Sequence, residues 1–165
     1  MRQKEKTSSY VRYFVFGVED SIVSTAGLLS GIAIAGMPGK TILLTGTILI
    51  IVEAFSMAIG SFVSEYSAED YMKQRATRSG VPIIDGVIMF VSYFIAGFIP
   101  LFPYAIFPLN IAFTTSIISS LIALSALGYA EGWFSKTSKM KGAIKMSLMA
   151  GIAIFVGVMA GKLLA

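Results

Sequence analysis

Five long apolar stretches, at residues 13–36, 41–64, 83–102, 109–129 and 143–164, are separated by short polar or Gly/Pro-rich segments. At 1.5 Å rise per residue each is long enough, as a helix, to cross a hydrocarbon core about 30 Å thick. The pattern predicts an all-α integral membrane protein, a single domain over residues 1–165 built as a bundle of five transmembrane helices. Residues 1–12 are polar and basic, and the apolar run after them is too long for a signal-peptide core and carries two acids, so it reads as a retained helix. GMPGK at 36–40 ends the first span. The polar stretch at 65–82 extends the second helix by a turn or two before the chain turns at Ser79–Gly80. In GFIPLFPYAIFP, Pro100, Pro103 and Pro108 predict a compact non-helical corner after the third span. Thr114, Thr115, Ser116, Ser119 and Ser120 in the fourth span suit interhelical hydrogen bonding.

Charge sets the orientation. Arg2, Lys4, Lys6, Arg12, Lys73, Arg75, Arg78, Lys136, Lys139, Lys141 and Lys145 fall at one end of this topology, and only Lys40 and Lys162 at the other. The bias predicts a cytosolic N-terminus, cytosolic 2–3 and 4–5 connections and an external C-terminus. The expected location is a prokaryotic cytoplasmic membrane. Composition agrees: 56% of residues are hydrophobic and 13% charged, with a mean hydropathy of +0.81. In so apolar a chain the sequence pI of about 9.4 reflects topology and the bilayer as partner, not nucleic acid. There is no cysteine and no histidine. Thiolate sites, disulfides and imidazole bases are excluded, and carboxylate, carbonyl, hydroxyl and thioether groups remain as ligands. No enzymatic activity and no permanently bound cofactor are expected.

The chemistry lies in the acids inside the spans, where ionised carboxylates are costly and mark function by default. On a helical wheel Ser24, Gly27 and Gly31 fall within about 40° of Asp20, while Glu19 points roughly 100° away. The ladder Gly27, Gly31, Ala35 is the kind that lets helices approach closely, and two copies of the chain meeting there would bring their Asp20 residues near one axis. On the second helix Gly46, Met57, Gly60 and Ser64 lie within about 40° of Glu53. Counting along the antiparallel helices puts both Asp20 and Glu53 roughly 12 Å from the cytosolic side. Glu65, Glu69 and Asp70 follow at the surface as candidates for gathering cations at the cytosolic mouth.

Asp20 and Glu53 can neutralise a divalent cation, and the Met57 thioether favours Fe²⁺ or another late transition metal over Mg²⁺ or Ca²⁺. Carboxyl groups removed from water hold their protons, which metal binding must displace. Competition of protons and metal for the same oxygens, at Asp20, Glu53 and Glu19, is a physical basis for antiport. Structural alternatives stand beside this: an interhelical hydrogen bond for Asp20, Glu53 or Glu19, packing for Met57, and a solvated helix end for Glu65, Glu69 and Asp70. A non-transporting assembly or regulatory module and a passive cation channel are the alternative functions.

FGVEDSIVSTAGLLSGIAIAG, then EAFSMAIGSFVSEYSAEDY, GFIPLFPY and GAIKMSLMAGIAIFVGVMAGKLL resemble, in order and spacing, the vacuolar iron transporter family. The resemblance implies a homodimer of five-helix protomers with an ion path between the copies, lined by helices 1 and 2. It implies Fe²⁺, and often Mn²⁺, as transported substrates leaving the cytosol in exchange for protons. Asp20 matches the family's mid-membrane aspartate, and Ser56, Met57 and Gly60 match its SMxxG pattern. Ser21 stands where the family usually has glycine, and Tyr13 where some members carry a further acid. The acidic cytosolic helical domain that plant members place between helices 2 and 3 is absent from this stretch, which leaves Glu65, Glu69 and Asp70 to capture metal.

Overall fold

In a computed structural model the protein is described over residues 2–73 and 80–165, with side chains at all of these except 2–6, 69, 72–73 and 80–82. Five helices run in order: α1 (Arg2–Ile34), α2 (Gly39–Lys73), α3 (Gly80–Ile106), α4 (Leu109–Phe134) and α5 (Lys139–Leu164). All five are long and apolar enough to cross a membrane. The turn expected at Ser79–Gly80 falls largely outside the described residues, as do Arg75 and Arg78.

The helix ends follow from backbone chemistry. At the end of α1, Gly36 takes φ 78°, its N–H donates to the Ala33 carbonyl, and the Met37 N–H reaches back to Ile32. This is a Schellman closure, and glycine suits its left-handed position. The end of α4 closes the same way without glycine. Lys136 holds φ 54°, with N–H groups of Lys136 and Thr137 donating to Trp133 and Gly132.

The proline-rich segment departs from expectation. Pro100 and Pro103 lie inside α3, which continues to Ile106, and only Pro108 stands in a break, before α4. In hydrocarbon no water satisfies a broken backbone, so a helix persists through proline where neighbours supply hydrogen-bonding groups. Ser116 of α4 ties this segment to its neighbour, donating to the Pro100 carbonyl at 2.7 Å. The other hydroxyls of α4 mostly turn inward to their own helix: Ser119 and Ser120 both donate to the Ser116 carbonyl, and Thr114 to Asn110.

α1 and α3 form the centre, with α2 against α3, α5 against α1, and α4 joining α3 to α5. The outer helices bury one narrow stripe each, spaced by four residues. On α2 it is Ile42, Gly46, Ile50 and Ala54; on α4, Ala112, Ser116, Ser120, Leu124, Gly128 and Gly132. Leu44, Ile48, Val52, Phe55 and Ile59 on the other side of α2 are exposed, as expected where the solvent is lipid.

Small residues set the closest contacts. A side chain added at Gly31 would lie 2.6 Å from the Gly157 carbonyl, and one at Gly27 would lie 3.2 Å from that of Ala153. On α5, Gly157 and Gly161 sit against Gly27 and Gly31, and Gly142 sits against Gly128 of α4. The ladder expected to join two copies of the chain is thus covered by α5 of the same chain, and Gly27 and Gly31 are buried there. The sequence gives close approach but not the partner: α5 carries its own small-residue stripe, and the two stripes pair within one molecule. Ala35 lies beyond this contact, at the α1 end, where its N–H donates to Gly31.

Candidate functional site

Half-way along α1, Asp20 is half-buried and within electrostatic reach of Glu53 of α2. A side chain from a third helix comes near both. Tyr93 of α3 is fully buried, its hydroxyl within electrostatic reach of both acids and 2.8 Å from Ser24 Oγ. Its position is fixed at two points, because Ser21 Oγ also donates to the Tyr93 backbone carbonyl at 2.6 Å.

Helix packing brings these groups together. Gly97 of α3 lets the side chains of Ile50 and Ser21 crowd against its backbone, 2.7 and 2.8 Å from where a Cβ would stand. α1, α2 and α3 therefore meet closely just past the acids. Met57, half-buried, lies one turn along α2 from Glu53. Asp20 and Glu53 are in no ion pair among the described residues, and no third acid joins them closely enough to form a metal-binding cluster. Two carboxylates, the Tyr93 and Ser24 hydroxyls and a nearby thioether suit one oxygen-rich, partly soft cation site with open coordination positions.

The other acids sit elsewhere. Glu19 faces Lys145 of α5 and Glu131 of α4, with Asp20 a weaker neighbour. It lines a cleft of about 690 Å³ with Arg12, Tyr13, Glu65 and Glu131. Glu65, expected to face incoming cations, accepts hydrogen bonds from Arg12 Nη2 and the Tyr13 hydroxyl, each 2.9 Å from Glu65 Oε2. Arg12 also lies over the Tyr13 ring at 4.7 Å. Glu65 is thus neutralised in place. Asp70 makes an interaction of its own, and the Glu69 side chain lies outside the described residues.

Sequence reasoning missed Tyr93, which resembles any aromatic in the apolar run of α3, and Asp85. Asp85 is fully buried and accepts a hydrogen bond from Ser9 Oγ at 3.0 Å. The signal for Asp85 was available, since it is a carboxylate in the third apolar stretch. For Tyr93, nothing in spacing distinguishes a site hydroxyl from core.

A sequence model of the VIT family matches residues 11–80 and 74–162. The chain belongs to the VIT family. Among individual proteins, it is 38% identical over 78 residues to vacuolar iron transporter homolog 2 of Arabidopsis thaliana, covering 47% of this chain and 40% of that protein. Homolog 4 of the same plant is 42% identical over 65 residues, covering 39% and 33%. Vacuolar iron transporter 1 of Eucalyptus grandis is 36% identical over 64 residues, covering 38% and 26%. The match thus spans well under half the length of these VIT relatives. All three are plant proteins named for the vacuole, so they lend no support to a prokaryotic cytoplasmic membrane.

Proposed function

We propose that this VIT family member moves a divalent transition metal, Fe²⁺ or Mn²⁺, out of the cytosol in exchange for protons. The observation that carries this reading is the Asp20–Glu53 pair: two carboxyl groups on separate helices, mid-span and within electrostatic reach of each other, with no ion pair to either among the described residues. Carboxylates so placed carry either protons or a bound cation. Occupancy by one excludes the other, which couples the two flows. The names of the plant relatives support iron as cargo, and Met57 adds the soft ligand that favours late transition metals.

In this scheme Asp20 and Glu53 ligate the cargo and exchange protons, Met57 completes its soft side, and the Tyr93 hydroxyl orients the acids. Glu19 and Glu65 serve the cytosolic mouth, where Arg12 must yield Glu65 before it can receive a cation. Two carboxylates leave positions on the ion unfilled, and a homodimer that brings a second pair to the exposed side of α1 and α2 would fill them.

The test is Fe²⁺ flux in proteoliposomes containing the purified full chain under an imposed pH gradient. Flux should follow the gradient and vanish when it is dissipated. Gradient-independent flux would make the protein a passive channel, and flux that survives Asp20→Asn or Glu53→Gln would remove the site.

A further inference from the structure

We infer that the corner between α4 and α5 is a binding site for the headgroup of an anionic phospholipid. Trp133 and Phe134 end α4 there, stacked with centroids 5.9 Å apart and respectively 64% and 75% exposed. Lys139, the first residue of α5, holds its ammonium 5.5 Å from the ring centres of both Tyr129 and Trp133, within cation–π range. Lys136 and Lys141 flank it, both exposed. Among the described residues none of these three lysines is in an ion pair, and residues 132–165 contain no acid at all. The nearest acid in sequence, Glu131, lines the cleft beside Glu19. Three exposed cations are left at this corner, Lys139 over the aromatic rings.

The surroundings select the occupant. Below the lysines, Met140, Ile144 and Leu148 form an exposed stripe down one face of α5, each at least 60% exposed. The chain's five helices are long and apolar enough to cross a membrane, which puts this corner at a bilayer surface with the stripe in the hydrocarbon. A basic head region continuous with an apolar track matches a phospholipid, phosphate above and acyl chain below. A free phosphate would leave the stripe without a purpose, and an acidic protein segment would not follow it into the membrane. Tryptophan and tyrosine at the same level fit the aromatic belt of an interface.

Trp133 is the only tryptophan in the chain, so its fluorescence reads this corner directly. The full chain in vesicles is mixed with brominated phosphatidylglycerol or brominated phosphatidylcholine, whose bromines quench a neighbouring indole. Brominated phosphatidylglycerol should quench at a lower mole fraction, and this preference should fall roughly fivefold for each of Lys136→Gln, Lys139→Gln and Lys141→Gln. In the unaltered chain, high salt should reduce the preference as well, a readout that needs no variant to fold. Equal quenching by the two lipids would overturn the inference, leaving only an apolar anchor. So would a preference indifferent to the lysines and to salt, or one abolished by millimolar inorganic phosphate, which would assign the site to the free anion.

Discussion

The two groups of acids on α1 and α2 differ in their company. At the mouth, Glu65 is tied to Arg12 and Tyr13, and Glu19 faces Lys145. At mid-span, Asp20 and Glu53 lie within electrostatic reach of each other and of Tyr93, with no ion pair among the described residues. Position alone would make the mid-span pair the costlier, because no water screens it there. Under the proposed function, the half-buried mid-span pair is left without a cationic partner because it exchanges a proton or an ion, whereas fully buried Asp85 is held by Ser9. The mouth acids are shielded until something displaces the cations that hold them.

The largest effect should come from the uncompensated pair. Asp20→Asn and Glu53→Gln should each lower Fe²⁺ flux by about 100-fold or more while leaving thermal stability unchanged or raised, because a repelling charge is removed. A loss of stability that tracks the loss of flux would instead make the pair structural. Next is the seam between α1 and α5, where Gly31→Leu should cost about 1–3 kcal/mol of stability by overpacking, read by thermal unfolding in detergent. Little change there would mean that α5 is not held on that ladder.

Arg12→Gln separates the two acid groups in the opposite direction. By releasing Glu65 it should lower the KM for metal several-fold with kcat nearly constant, whereas Asp20→Asn, which removes a ligand, should raise KM and lower kcat together. A rise in KM would show that Arg12 orders the mouth and does not compete with cargo. The smallest effect is expected at Lys136→Gly, which relieves a left-handed residue and should stabilise the protein by about 1 kcal/mol, measured in the same unfolding assay.

Much of the fold was legible because hydrocarbon imposes simple rules. The five spans, the break after the first of them, which the structure has at residues 35–38, and the separation of Glu19 from Asp20 follow from helix length, turn chemistry and 100° per residue. Pro100 and Pro103 misled because local propensity forecasts a break, whereas hydrocarbon, which offers the backbone no water, favours a continuous helix. The glycine ladder misled differently: spacing shows that Gly27 and Gly31 are approached closely but cannot say that Gly157 and Gly161 are what approach. At the site, Asp20 and Glu53 stood out as charges in apolar runs. Tyr93 did not, because its role depends on α3 crossing α1 at Ser21 and Ser24, a tertiary fact that spacing within one helix does not carry.

The central claim is that Asp20 and Glu53 hold the cargo. Its most direct test is an experimental structure of the full chain in lipid with Mn²⁺ or Fe²⁺, the metal located by its anomalous scattering. Density between the Asp20 and Glu53 carboxylates, on the side of Met57, is the result predicted. Metal found only in the cleft of Glu19, Glu65 and Glu131, with the mid-span acids empty, would contradict it.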